Sequence, residues 1–399
     1  MTESQTTTND RFRGLATAAA FASLLSFAVA LLTTPACNNE IARAFHASLG
    51  QLGELALAAS LGFFFALLWC GGFTDRRGKL PSIFAGCVSM VIGALVFAQS
   101  DGLPEAIVGA ALMGIGGGFT EGPSMALLAD IYEDSRRTSM MNLCQAMFGV
   151  GAVAAPLGVG WLLRSGLSWR YGYLGAAVVA TCAAVLALLA LAMRRERPVG
   201  THETRVRRRK LLTDGLVLTL SVGIMLYVGG EIGQSTWLSV YFKRYLGAGR
   251  ALAAASPSFM WLGIWLGRVT AAWVSRHVSE VALICWCMAL ASASEAALLL
   301  IGGPIAGTAA AFALGFFLAP VFPTIVSCAA AAYPEASGSV TSVVIAAGSL
   351  GSAIFPPAVG WTADALGLRP ALWICFTIFV IDLAVFLALR SRTKRVAAP

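Results

Sequence analysis

The sequence predicts an all-α membrane protein with twelve transmembrane helices in two pseudo-symmetric six-helix bundles. Three observations lead there. The 399-residue chain is 58% hydrophobic and 12% charged, with a mean hydropathy of +0.77, whereas soluble domains carry roughly 25% charged residues. Its apolar residues fall into twelve runs long enough to cross a bilayer, which takes about 20 residues per helix. One long polar stretch divides these runs six and six.

The first half holds runs at 15–34, 50–71, 82–99, 105–129, 140–163 and 171–193. The polar start MTESQTTTND has no cleavage pattern, so the first run is expected to stay as a span. In the fourth run, Gly114, Gly116, Gly117 and Gly118 have neither a preceding strand nor a Gly-Lys-Ser/Thr ending. A nucleotide loop is therefore excluded, and close helix packing through small residues is expected. The fifth run carries Gly149, Gly151, Pro156, Gly158 and Gly160, a series suited to bending and sliding. Residues 194–211 form a basic linker, making the predicted domains 1–193 and 212–399. The second half repeats the pattern at 212–241, 252–274, 280–300, 305–329, 338–361 and 371–390. At an offset of 200, Pro123 meets Pro323, Gly151 meets Gly351, Pro156 meets Pro356, and Trp161 meets Trp361. Such parallel repeats build transporters that rock around a central site.

The net charge of +8 follows from orientation rather than nucleic-acid binding. With a cytoplasmic N-terminus, 20 of the 28 bases fall on the cytoplasmic side and 7 on the other, with Arg268 inside a span. The positive-inside rule then places both termini in the cytoplasm, and the plasma (inner) membrane is the expected location. The nine cysteines lie mostly within apolar runs and lack metal-ligand or redox spacing. No cofactor, metal centre or enzymatic activity is expected, and the chain is expected to work as a monomer in the lipid bilayer.

The loop after the second run reads Gly71-Gly72-Phe73-Thr74-Asp75-Arg76-Arg77-Gly78-Lys79. Gly71 would permit close helix approach, Gly78 a left-handed turn, and Asp75 a pairing with a base or helix N-terminus. These residues, with Arg76, Lys79 and Arg268, form the expected cytoplasmic gate. The second half keeps Arg276 but has Ser275 in place of the acid. The loop resembles the signature of the major facilitator superfamily. A closer resemblance, to its fucose permease-like branch, rests on Thr120-Glu121-Gly122-Pro123, on Asn142-Leu143-Cys144-Gln145 with Phe148, on Tyr227-Val228-Gly229-Gly230-Glu231-Ile232-Gly233 with Trp237, and on Trp261, Gly267-Arg268 and Phe322-Pro323-Thr324. It implies the major facilitator fold and proton-coupled transport of hexoses, deoxyhexoses or polyols. The span-one acid of that branch is absent, since Leu31-Leu32-Thr33-Thr34-Pro35 carries none.

The intramembrane polar residues stand out without that likeness, because ionisable side chains deep in a bilayer cost several kcal/mol and mark pathways or pairs. Glu121 is the first candidate for proton coupling, against a structural hydrogen bond to a neighbouring helix. Glu231, also a proton-coupling candidate, forms with Gln234 and Trp237 a face at helical spacing suited to sugar hydroxyls, against simple helix packing. Asn142, Gln145 and Trp261 complete the expected substrate contacts, with helix–helix hydrogen bonding the alternative for the two amides. Arg268 is expected to pair with an acid or helix terminus, and Asp382 and Glu295 to be structural. The functional expectation is proton-coupled uptake of a small neutral sugar or polyol, with sodium coupling also open. Its rivals are efflux of a drug or metabolite on the same fold, and a non-transporting receptor.

Overall fold

The computed structural model describes residues 3–193, 214–274, 277–333 and 337–397. The predicted linker 194–211 and the Ser275-Arg276 pair lie outside the described residues. All described elements are helices: α1 (Glu3–Phe45), α2 (Leu49–Arg77), α3 (Lys79–Gln99), α4 (Leu103–Ile131), α5 (Asp134–Arg164), α6 (Arg170–Met193), α7 (Gly215–Arg244), α8 (Arg250–Val274), α9 (Glu280–Leu300), α10 (Pro304–Leu318), α11 (Val321–Ala332), α12 (Ser337–Leu366) and α13 (Leu368–Ala397). Eleven segments, with Pro304–Ala332 counted as one, are long and apolar enough to span a membrane. The 25-residue α8 is the twelfth helix of the fold.

Two elements differ from the sequence expectation for reasons that lie in proline chemistry. The first apolar run stops before Pro35, yet α1 continues through that residue to Phe45. A proline removes one backbone donor, a loss that neighbouring helices repair in spanning segments. The tenth run instead breaks, α10 ending at Leu318 and α11 opening at Val321 after Pro320. Pro320 and Pro323 lie close together there, and each deletes a helical hydrogen bond.

The chain groups into two compact units, Met1–Cys37 with Ala58–His202, and Asn38–Leu57 with Glu203–Pro399. Residues 38–57 thus associate with the second unit, although the predicted first domain, 1–193, included them. In the first unit α3 packs on α4 and α6. In the second, α12 packs on α7, α10 on α8, and α9 on α13.

Each unit repeats the same close packing. In the first, a Cβ added at Gly62 would overlap the Ala111 carbonyl oxygen, one at Gly114 the Ala59 carbonyl, and one at Gly151 the Leu25 carbonyl. In the second, Gly263 faces the Phe312 carbonyl, Gly315 that of Met260, and Gly351 that of Met225. The paired positions are 200 or 201 residues apart throughout. Arg170 Nη1 donates to the Ala98 carbonyl at 2.7 Å, and Arg369 Nε to the Leu299 carbonyl at 2.8 Å. The glycines of the fourth run pack as predicted, with Gly116 against Met90, Gly117 against the Phe27 ring and Gly118 against Ala66.

Candidate functional site

The second unit contains a buried polar cluster on α7. The helix starts at Asp214, whose side chain accepts from the Leu216 and Val217 amides at 2.9 and 3.1 Å. Helical spacing then stacks Tyr227 and Glu231 one turn apart. The Tyr227 hydroxyl donates to Glu231 Oε1 at 2.7 Å, with both residues buried. Arg268 of α8 lies close enough to act electrostatically on both. Gln234, one turn further along α7, is fully buried, and neither its amide oxygen nor its nitrogen has a hydrogen-bond partner among the described residues. Carboxylate, phenol, guanidinium and amide therefore gather on adjacent turns of two packed helices. The group offers donors and acceptors to a polar solute and a carboxyl able to hold a proton.

The tryptophans take other places. The Trp237 ring is fully buried, its Nε1 donating to the Pro356 carbonyl at 3.0 Å. A Cβ at Gly360 would come within 2.8 Å of that ring, so Trp237 fills the seam between α7 and α12 rather than standing on an open face. Trp261 Nε1 donates to Ser235 Oγ at 2.9 Å and is likewise buried. Arg268 of α8 lies within electrostatic reach of Glu231, an acid inside the spans.

In the first unit, Glu121 is half-buried on α4 and bears electrostatically on Cys144 of α5. Gln145 is half-buried and Asn142 exposed on the same helix. Ser23 and Ser124 share a hydrogen bond of 2.9 Å between α1 and α4, close to the Glu121 level. The Cys144 thiol, turned toward the Ala20 carbonyl of α1, packs in a core with Ala20, Leu24 and Leu128.

The α2–α3 connection is a single residue, Gly78, at φ +99°. The left-handed turn anticipated there is present, and a side chain would strain it. Lys79 forms an ion pair with Asp130 and donates to the Ala126 carbonyl at 3.1 Å, which ties α3 to α4. Asp75 and Arg76 are exposed. Gly71 does not mediate close approach: a Cβ there would meet nothing within 4 Å among the described residues. That exposed stretch of α2 leaves its glycine without a packing role.

Sequence reasoning missed a second polar group in the second unit. Glu40 is 8% exposed and pairs with Arg250, whose Nη2 lies at 2.9 Å, and with Arg43. Asn38 Nδ2 donates to the Thr236 carbonyl at 2.8 Å, and Asn39 Nδ2 to that of Ser239 at 2.9 Å. Asp364 accepts from the Leu49 and Gly50 amides at 2.8 and 2.9 Å and from Ser48 Oγ at 2.7 Å, capping the start of α2. The signal was present in the consecutive Asn38-Asn39-Glu40, polar residues prolonging an apolar helix.

Comparison with known proteins gives a family and a fold. The model of the Major Facilitator Superfamily matches residues 19–344. A TsgA protein homolog of Buchnera aphidicola is 19% identical, with 93% of this chain and 96% of the relative aligned. The glucose/mannose transporter GlcP of Bacillus subtilis is 21% identical over 94% of both chains. The multidrug resistance protein MdtL of Klebsiella pneumoniae is 29% identical, over 51% of this chain and 56% of its own. Among solved structures, a bacterial homolog of the human lysosomal transporter Spinster, inward-facing and occupied, superposes with a TM-score of 0.72 at 17% identity. That alignment covers 96% of this chain and 97% of the other.

Proposed function

This chain belongs to the Major Facilitator Superfamily, and we propose that it is a proton-coupled secondary transporter taking up a small neutral sugar or polyol by alternating access. The observation that carries this reading is the α7 cluster, in which the Glu231 carboxyl, bonded to Tyr227 and influenced by Arg268, lies one turn from the unpartnered Gln234 amide. An amide supplies both a donor and an acceptor to a hydroxyl, and an acid within a span is a natural proton carrier. Glu121 of α4, with Gln145 and Asn142 on α5, provides the corresponding polar residues of the first unit. Full-length similarity to a glucose/mannose transporter supports a sugar. The excess of bases at one set of helix ends supports an inner-membrane protein with both termini cytoplasmic.

Efflux is the second reading, favoured by the similarity of half the chain to MdtL. The span-four arginine of proton antiporters is missing, since no Arg lies between Glu105 and Ala129. Proteoliposomes loaded with a pH-sensitive dye test uptake directly. A sugar gradient is expected to alkalinise the compartment it drains, and Glu121→Gln to abolish this movement. Proton-coupled transport surviving intact in Glu121→Gln removes that residue from the mechanism. An exporter would instead raise resistance to toxic compounds and fail to restore growth on a sugar.

A further inference from the structure

Two carboxyl groups of the second unit stand apart from the α7 cluster. Glu295 on α9 and Asp382 on α13 are each fully buried, and no oxygen of either carboxyl has a hydrogen-bond partner among the described residues. Helices α9 and α13 pack on one another, and α13 also packs on α7 and α12. Asp382 Oδ1 lies opposite Gly223 of α7, where a Cβ would approach it to 3.4 Å. Tyr227, one turn further along α7, is within its electrostatic reach, as is Cys285 of α9. Asp382 thus stands at the depth of the Tyr227–Glu231 pair. Glu295 lies within electrostatic reach of Tyr241 of α7 and Cys375 of α13. Arg369, which also acts on Tyr241, spends its Nε on the Leu299 carbonyl. Cys375 precedes Asp382 by seven residues, so the two acids share one side of α13 at levels about 10 Å apart.

An ionised carboxylate without a donor is among the least tolerable groups in a protein interior, and more so within a span. A leucine or methionine would pack at either position without that penalty. A carboxyl so placed costs less as the neutral acid than as the anion. Ionisation needs a donor or water, which a rearrangement of the helices would have to bring. Proton occupancy at both positions is therefore linked to conformation.

We propose that Asp382 and Glu295 are proton-carrying residues of the transport cycle, holding protons in this conformation and releasing them when the second unit rearranges. The inference rests on the proton-coupled reading above. Asp382→Asn and Glu295→Gln, close isosteres, are expected to keep equilibrium exchange of labelled D-glucose or L-fucose in proteoliposomes while losing sugar-driven alkalinisation. Asp382→Glu, which retains an acid, is expected to restore it. Undiminished alkalinisation in both neutral variants overturns the inference. If the native protein exchanges either sugar without moving protons, the proton-coupled reading fails by itself. Infrared difference spectra of the purified protein then still decide the inference. A protonated-carboxyl band that shifts in heavy water and disappears in the variants supports it, and native carboxylate bands that disappear in the variants overturn it.

Discussion

The bond between Tyr227 and Glu231 is the contact on which the site depends, and Tyr227→Phe removes it while changing little else. The hydroxyl donates at 2.7 Å to a buried carboxyl, with the Arg268 guanidinium nearby. A hydrogen bond to a charged group contributes about 1.5–3 kcal/mol in water-soluble proteins. Membrane bundles give less, because partly unfolded helices find other partners: measured pairwise values average about 0.6 and reach about 1.7 kcal/mol. The short distance and complete burial place this pair near the upper end, at about 1.5 kcal/mol, roughly tenfold in an equilibrium constant. The assay is a double-mutant cycle of Tyr227→Phe and Glu231→Met, read by denaturant unfolding in detergent. Methionine keeps the volume of the glutamate and accepts no comparable bond. Phe at position 227 is expected to destabilise the native protein, and to be neutral or favourable once Glu231 is gone. A coupling energy below about 0.5 kcal/mol, within the scatter of independent sites, would refute the pairing.

Two further outcomes follow from the packing and from the helix caps. Gly114→Ala and Gly315→Ala each drive a methyl into a backbone carbonyl of the facing helix, so both should cost about 1–3 kcal/mol; Gly122→Ala, with nothing within 4 Å, should instead gain up to about 1 kcal/mol from helix propensity. Thermal unfolding of the three variants in detergent checks this order, and equal effects at all three would contradict it. At the start of α7, the Tyr333 hydroxyl and the Val217 and Leu216 amides hold the Asp214 carboxyl below its ordinary range, while the same bond pushes Tyr333 up to about 12. A depressed carboxyl stabilises the fold above its unfolded value and loses that contribution as pH falls through the folded one. Acid unfolding of Asp214→Asn should accordingly be less steep in that range than that of the native protein.

The fold was legible because bilayer solvation writes it in composition: twelve apolar runs, a basic divider and a Gly/Pro repeat require no tertiary information. The turn at Gly78 was legible too, since a one-residue connection between helices demands a conformation that glycine adopts freely. The sequence was less informative where a side chain's role depends on its neighbours. Spacing put Glu231, Gln234 and Trp237 near one face, and only packing against Pro356 and Gly360 separates the buried Trp237 from the polar pair. Arg268 could be placed in a span, but its proximity to Glu231 is a property of how α8 meets α7. Asn38, Asn39 and Glu40 extend a helix past its apolar run, and the carbonyls and the arginine they meet lie about two hundred residues away in sequence.

What the two halves share, and what they do not, separates scaffold from chemistry. The repeated contacts at offsets of 200 and 201 described above are glycines against carbonyls, and the matched arginines likewise bind backbone oxygens. None of these groups needs to change its charge for the protein to function. The ionisable residues inside the spans have no such mates. In the register of those contacts, Glu121 corresponds to Phe322 and Arg268 to Leu67 at 201, Glu231 to Leu31 at 200, Glu295 to Ala94 at the 201 of Ala98 and Leu299, and Asp382 to Ala183 at the 199 of Arg170 and Arg369. Packing preserved by the repeat does not require these departures, because the opposite half carries apolar side chains at the matching positions. Four of the five lie in the second unit, which also holds the Tyr227–Glu231 bond and the unpartnered Gln234. Under the proposed proton-coupled mechanism, the asymmetry would put the proton chemistry mainly in the C-terminal half, with Glu121 of α4 in the other. It also yields a sharper test than any single substitution: Glu231→Leu, Glu295→Leu and Asp382→Leu each install an apolar side chain like those at the matching positions of the first unit. If these positions serve packing alone, all three variants should fold and transport like the native protein; a selective loss of proton coupling in folded variants would identify them as chemistry added to a repeated scaffold.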